Sequence, residues 1–224
     1  MSLEFRKEKG KAVWVKNPFS GTVSYYNNIH KKKVASFSNQ LSTTRNFSLP
    51  VTDPLSFQAD LEKVMQNCIF CPGNEGKTPK EVLRVNYEEL YYKGLYTPDL
   101  APDQWSIRAF PNIIPRIPAS CTGGKVESYV VVEDSRHFLG HHENPFQLLY
   151  SAALPLRHFY YVLKVDVRVS EMSFRNSEVK SVLIRKNQGA ESGASQPHIH
   201  NQVIGSDHFF PDIGHYTGNI KFPL

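Results

Sequence analysis

Apolar and polar positions alternate most clearly in the second half of the chain. Trp105-Ser106-Ile107-Arg108-Ala109-Phe110 alternates with a period of two, which predicts a strand ending at Pro111-Asn112. Ser128 to Glu133 (Ser-Tyr-Val-Val-Val-Glu) is a β-branched run and reads as a second strand. Val179 to Lys186 and His198 to Ile204 read as two more. Between them, Pro145 to Val165 carries Leu149, Ala152, Ala153, Leu156, Phe159, Tyr160 and Leu163 at helical spacing, predicting a long helix with that face buried. Pro155 removes an amide donor inside it and is expected to kink it. Strand, long helix, strand, Gly-rich turn, strand gives an α+β domain with a mostly antiparallel sheet and a long helix packed on it.

Residues 1 to about 60 contrast with this. They are polar and rich in turn signals (Asn17-Pro18, Ser20-Gly21, Asn27-Asn28, Asp53-Pro54), with Lys11 to Val15 as a short strand. Lys31-Lys32-Lys33 reads as a solvated loop. The organisation expected is an extended N-terminal arm over 1–60 and one domain over 61–224. The chain has no internal repeat.

A chain of 224 residues, 40% hydrophobic and 21% charged, is ordinary for a globular protein. Nothing approaches the roughly 18 apolar residues of a membrane span. The start, Met1-Ser2-Leu3-Glu4-Phe5-Arg6-Lys7, lacks a signal-peptide stretch, so a cytoplasmic location and no membrane partner are expected. The formal charge of +5 suits an anionic ligand such as a nucleotide but is too weak to imply nucleic acid. Three cysteines make no disulfide framework. The Cys68-Ile69-Phe70-Cys71 spacing instead offers two thiolates from one turn, as in a zinc knuckle. No second CxxC exists, so histidines must complete such a site, with His137, His141, His142, His198 and His200 as candidates. Cys121 stands alone and reads as a buried or loop thiol.

The most informative segment runs from Asn187 to Gln202 (Asn-Gln-Gly-Ala-Glu-Ser-Gly-Ala-Ser-Gln-Pro-His-Ile-His-Asn-Gln). Its small residues let the backbone approach a ligand closely enough for its amides to meet phosphate oxygens. In the strand that follows, His198, His200 and Gln202 project from one face, with neighbours on that face about 6.5–7 Å apart. Two imidazoles and a carboxamide beside such a loop suit phosphate handling; the plainer alternative is a pair of satisfied core or surface histidines.

These segments together resemble the galactose-1-phosphate uridylyltransferases of the histidine triad (HIT) superfamily. Cys68-Ile69-Phe70-Cys71-Pro72-Gly73-Asn74-Glu75 with Thr78-Pro79 is similar to the start of that family. Trp105 to Asn112 is similar to its Trp…Arg-Val-Phe-Pro-Asn segment, and Val132 to His137 to its Val-Glu-Ser-Pro-x-His strand end. Asn187 to Gln202 resembles its Asn-x-Gly…Gly-Ala-Ser…His-Pro-His-x-Gln signature. The ordered blocks cover roughly residues 68 to 205.

The resemblance implies a HIT-like fold and Zn2+ held by Cys68, Cys71, His137 and His198. It implies His200 as the nucleophile that carries a nucleotidyl group and Gln202 as the residue holding the transferring phosphate. Gly193 and Ser195 would line the phosphate site, Phe110 and Asn112 would lie beside the nucleoside, and Asn187 near the phosphates. The expected substrate is a nucleotide or nucleotide sugar, and the superfamily's habit of pairing across its sheet implies a homodimer. Ile199 replaces the central Pro of the His-Pro-His signature, Asn201 replaces the Gly that follows, and Ser128 stands where a His is usual. Only about 20 residues follow Gln202, so the segment matching the family's second half is absent from this sequence, and a more open acceptor side is expected.

The chemistry suits these residues. A neutral imidazole is nucleophilic near pH 7 and leaves well from phosphorus, which divides one difficult transfer into two displacements. Its other ring nitrogen needs an acceptor, such as a backbone carbonyl. Four protein ligands leave zinc no open position, so its expected role is structural; a rival arrangement places both His198 and His200 on the metal and leaves a hydrolytic position open. The leading expectation is a nucleotidyltransferase. The alternatives are a HIT-type nucleotide phosphorylase or hydrolase and, from another class, a zinc-stabilised nucleic-acid-binding module.

Overall fold

The sheet that carries the site has five strands, each antiparallel to its neighbours, in the spatial order β4-β5-β6-β8-β7. They are β4 (Leu83–Asn86), β5 (Trp105–Pro111), β6 (Ser128–Val132), β7 (Ser181–Asn187) and β8 (His200–Ser206). The computed structural model describes residues 5–8, 11–16, 23–25, 66–90, 103–136, 154–187, 196 and 198–210. A one-turn helix, α1 (Tyr87–Leu90), follows β4, and the long helix α2 (Leu156–Phe174) lies between β6 and β7. This is the α+β arrangement expected. Among the described residues no helix is long and apolar enough to cross a membrane.

Near the N-terminus, β1 (Phe5–Glu8), β2 (Lys11–Lys16) and β3 (Val23–Tyr25) form a separate antiparallel sheet. Only β2 was expected. Trp14 and Tyr25 from this sheet pack with Phe210 against Ile117, Cys121 and Ile204. The Tyr25 hydroxyl donates to Asp207 Oδ1 at 2.6 Å and also meets Ser206 Oγ at 2.8 Å. The arm is thus latched to the end of β8. Its expected boundary near residue 60 lies outside the described residues.

The long helix corrects the sequence reading in two ways. Pro155 is the residue just before the helix (φ −51°, ψ 140°), not a kink within it, and the helix continues past Val165 to Phe174. A proline lacks only a donor that the first turn leaves unbonded anyway, so it starts a helix more readily than it bends one. The buried stripe is His158, Val162, Val165, Asp166, Val169 and Ser173, whereas Leu156 is 83% exposed and Phe159, Tyr160 and Leu163 also face outward. Both stripes have helical spacing, so periodicity alone could not choose between them. The inner one prevails because its valines pack on Ile107, Ala109, Tyr129, Val131 and Val203 while two of its three polar members, His158 and Asp166, find partners in the sheet. Leu149, Ala152 and Ala153 lie outside the described residues.

Register fixes what each face of the sheet carries, because directly paired residues project from the same side. Arg84, Arg108, Val132, His200 and Asn187 form one row across the sheet, on the face away from α2. Phe110, Val130, Gln202 and Arg185 form the next row, and Ser128, Ile204 and Leu183 the third. A bulge between Val85 and Asn86 pairs Asn86 with Trp105, skipping Ser106. The extra residue returns Trp105 to the face of Arg108 and Phe110, where strict alternation would have sent it to the helix side.

Candidate functional site

The Cys68–Cys71 turn packs on the first two rows. Cys68, Phe70 and Cys71 are buried in one cluster with Trp105, Phe110, Val130 and Val132. The turn is closed by Cys71 N donating to Cys68 O (3.2 Å) and Asn74 N donating to Cys71 O (3.1 Å), while Asn74 Nδ2 also donates to Cys68 O (2.8 Å). Gly73 sits at φ +85°, a left-handed conformation that glycine enters without steric cost. Trp105 Nε1 donates to Glu75 Oε1 at 2.7 Å, and the buried Arg108 donates to Glu81 Oε2 (2.7 Å) and Thr78 Oγ1 (3.2 Å). Its guanidinium lies 5.3 Å from the centres of both the Trp105 and Phe110 rings. These contacts fix the cysteine turn to β5.

His198 lies two residues before the first residue of β8 and meets both sulfurs. Its Nδ1 is 3.7 Å from Cys68 Sγ and 3.5 Å from Cys71 Sγ. Its Nε2 donates to the carbonyl of Asp134 at 2.7 Å, which leaves Nδ1 as the unprotonated nitrogen. The ligand atoms of Cys68, Cys71 and His198 all lie within 4.8 Å of one another, and all three residues are buried. This cluster is suited to a metal ion: two sulfurs and an imidazole whose second nitrogen is oriented by a carbonyl. The hydrogen bond to the Cys68 sulfur, with burial, raises the Cys71 thiol well above its ordinary range, so two thiolates here need a cation between them.

His200 is turned differently. Its Nδ1 donates to the carbonyl of His198 at 2.7 Å, and its Nε2 receives a hydrogen bond from Asn187 Nδ2 at 3.2 Å. The ring stands edge-on to Phe70, with 5.2 Å between centres. Burial pushes its pKa down to about 4, so the imidazole is neutral at physiological pH, with its lone pair on Nε2. Among the described residues, the clustered metal-binding groups do not include His200. Gln202 is half-buried one row away, and its Oε1, like Asn187 Oδ1, has no partner among the described residues.

Of the other expected site residues, Phe110 is buried against Phe70 with 5.6 Å between ring centres. Asn112 accepts from Ile114 N at 2.9 Å through its side chain and donates its backbone amide to Ser128 O, shaping the loop beyond β5. His137, Gly193 and Ser195 lie outside the described residues, as do His141 and His142.

The sequence reading missed a buried polar group that orients His198. Asp134 accepts from Tyr87 Oη (2.8 Å) and the Arg136 backbone (2.8 Å), and its Oδ2 pairs with Arg136 Nη2 (2.6 Å). Burial opposes ionisation of Asp134, but the hydrogen bonds and charge of Arg136 outweigh it and hold the carboxyl below its usual range. His158 of α2 donates to the neighbouring carbonyl of Glu133 at 2.7 Å. The peptide whose carbonyl holds His198 is therefore pinned on both sides. The one sequence signal was a histidine at a core position of a helix, His158.

No family model and no curated protein matches the chain. Solved structures do resemble it at low identity. A uridylyltransferase is 16% identical with a TM-score of 0.47, covering 91% of this chain and 48% of its own. An ADP-glucose phosphorylase from Arabidopsis thaliana, solved with ADP-glucose bound, is 18% identical with a TM-score of 0.41, covering 95% of this chain and 51% of its own. A HIT family protein from Bacillus subtilis is 16% identical with a TM-score of 0.32, covering 70% of this chain and 99% of its own. The chain thus spans about half the length of the first two.

Proposed function

We propose that this chain is a HIT-type nucleotidyl-transferring enzyme that carries a nucleoside monophosphate on His200. The observation that carries the reading is the state of that imidazole: neutral, with its proton on Nδ1 and its lone pair on Nε2, facing an asparagine amide. A ring held this way is ready to attack phosphorus without first losing a proton.

In the first step His200 Nε2 forms a bond to the substrate phosphorus, and the bond from phosphorus to the leaving oxygen breaks, its electron pair leaving with that oxygen. The positive charge on the substituted ring is met by the His198 carbonyl that accepts Nδ1–H. Asn187 Nδ2, which occupies Nε2 in the free protein, turns to a phosphoryl oxygen, and Gln202 supplies a further amide donor. In the second step an anionic oxygen of the acceptor attacks phosphorus and the P–N bond breaks, returning the electron pair to Nε2. Inorganic phosphate or a sugar phosphate needs no base for this step. The charge relay stays within the ring and its carbonyl.

The Cys68, Cys71 and His198 cluster, with His137 as the fourth ligand suggested by the sequence resemblance, would hold zinc. Fully ligated, it would supply no acid or base, and Cys68, Cys71 and His198 would through it brace the turn against the start of β8. The different orientations of the two rings support assigning His198 to the metal and His200 to phosphorus rather than both to the metal.

Intact-mass measurement after exposure to nucleotide sugars and dinucleoside polyphosphates tests the reading. A mass increase equal to one nucleoside monophosphate less one water is expected, present in the native chain and absent from His200→Ala. An adduct of undiminished yield in His200→Ala would refute the assignment. Adduct decay in phosphate, water and sugar 1-phosphates then separates transferase from phosphorylase or hydrolase.

A further inference from the structure

His200 sits on the end rung of its strand. Val132 is the final residue of β6 and Asn187 the final residue of β7, and both pair with His200, so neither ladder continues toward His198. The next residue, Asn201, turns its side chain to the opposite face and meets α2 there, its Nδ2 donating to Asp166 Oδ2 at 2.8 Å. Both residues are buried, Asp166 at 1% exposure and Asn201 at 6%. The bond is a direct polar tie from the helix to the residue between His200 and Gln202. Asn201 stands where the uridylyltransferase signature has glycine, which has no side chain to make such a contact.

The tie is half made. Asp166 Oδ1 and Asn201 Oδ1 are both buried and both without a hydrogen-bond partner among the described residues. Buried polar atoms are nearly always satisfied, so two orphans on the two members of one hydrogen bond share an explanation. A proton supplies it. A neutral carboxylic acid is one donor and one acceptor, and a primary amide offers the same complement, so the two can pair at two points. An ionised carboxylate only accepts, and it leaves the amide oxygen facing a negative charge. The charged surroundings do not offset that charge. Glu133 lies on the helix face at the end of β6, and the Lys186 ammonium of β7 already bonds both of its oxygens, at 2.8 and 2.7 Å. The other titratable groups facing α2 have partners of their own: Tyr129 of β6 bonds Glu127, Tyr87 of α1 bonds Asp134, and Asp134 pairs with Arg136. His158 of α2 bonds the Glu133 carbonyl, while β4 and β5 bring Leu83, Val85, Ile107 and Ala109.

We propose that Asp166 is a positioning residue for the His200 site: as a neutral acid it closes a two-point pair with Asn201 that seats the end rung of β8, and its ionisation opens the pair and loosens that rung. The role in the reaction rests on reading His200 as the nucleophile; the pair itself does not. Burial raises the Asp166 carboxyl to about 7, against the Asn201 hydrogen bond and with a contribution from Glu133. The tie is therefore closed below neutral pH and released as pH rises through that value. His200, pushed down to about 4 by burial, is already neutral over this range, so a change near pH 7 is not its own titration. Asparagine at position 166 keeps both points of the pair, an N–H replacing the acid O–H, and cannot ionise. Its second N–H is left over.

Nuclear magnetic resonance of the native chain between pH 5.5 and pH 8.5 reads the pair through the Asp166 carboxyl carbon, the Asn201 side-chain amide and the Nδ1–H of His200. The carboxyl signal should titrate near 7 and be missing from Asp166→Asn. The Asn201 and His200 signals should shift with the same midpoint in the native chain and stay constant in Asp166→Asn. No carboxyl titrating near 7, or Asn201 and His200 signals that ignore it, overturns the proposal. The reaction is followed separately, by the mass of quenched samples after mixing with UDP-glucose or ADP-glucose, whose diphosphate does not titrate in this range. The rate of adduct formation should fall roughly tenfold from the lower to the higher pH in the native chain, as displacement of a nucleophile predicts, and be flat in Asp166→Asn. Asn201→Gly should be slow at every pH. Equal profiles in the native chain and Asp166→Asn overturn the positioning role and leave the chemistry of His200 standing. A native chain that forms no adduct at any pH overturns that chemistry and the positioning role with it, while the resonances still decide the pair.

Discussion

Asp166 is an ionisable group buried where nothing neutralises it well, and replacing it with asparagine should make stability less dependent on pH. The side chain projects from α2 onto the back of β8. Oδ2 accepts from Asn201 Nδ2 at 2.8 Å, and Oδ1 has no partner among the described residues. Burial, opposed by the Asn201 hydrogen bond, raises its pKa from the ordinary 3.8 to about 7; Glu133 adds to the rise, and Lys186, which bonds Glu133 at 2.7 Å, works against it. The folded state therefore holds a proton that the unfolded chain gives up near pH 4. Stability from this group is complete below the unfolded pKa and is lost as pH rises through the folded one. Each pH unit in that window costs about 1.4 kcal/mol, so the native chain loses roughly 2–3 kcal/mol between pH 5 and pH 8 that Asp166→Asn does not. The amide keeps an oxygen for Asn201 but buries an NH2 where Oδ1 was, a cost of about 1–3 kcal/mol that does not vary with pH. Urea unfolding at pH 5 and pH 8 reads the difference. The variant's stability relative to the native chain should rise by roughly 2–3 kcal/mol from the lower to the higher pH. A variant that is equally destabilised at both would show that Asp166 is ionised throughout and paired in the folded state.

Freshly purified protein should contain about one zinc per chain, and Cys71→Ser should lose it and unfold at lower urea, because structural zinc contributes directly to folding; metal analysis with no zinc in the native chain refutes the site. His198→Ala should lower metal content before activity, whereas His200→Ala should keep metal and fold, and parallel metal and circular dichroism measurements distinguish them. Tyr25→Phe removes the hydroxyl that reaches Asp207 and Ser206 and should cost about 1–2 kcal/mol in urea unfolding. An unchanged midpoint would mean that the latch contributes nothing.

The sheet was legible because its central strands carry the signals that strands require. The β-branched run at Val130-Val131-Val132 and the alternation ending at Phe110 are dictated by burial on one or both faces. The cysteine pair was legible as a metal-binding turn from its spacing, but that spacing left five histidines open as partners, and only the family resemblance pointed to His198. Other features had no sequence signal. The direction of α2 depended on which of two helical stripes could satisfy His158 and Asp166, and this is decided by carbonyls and amides on distant strands.

The hydrogen bond from His200 to the carbonyl of His198 has a consequence for how the site tolerates change. In many catalytic histidines the second nitrogen is oriented by a carboxylate, and one codon change removes it. Here the acceptor is a peptide oxygen two positions earlier in the chain, just ahead of β8, present whatever side chain occupies position 198. Substitution can remove the metal ligand there, but it cannot delete the group that fixes the tautomer of His200. The tautomer is inherited from the backbone, so the nucleophile's readiness should drift less among variants than metal affinity does.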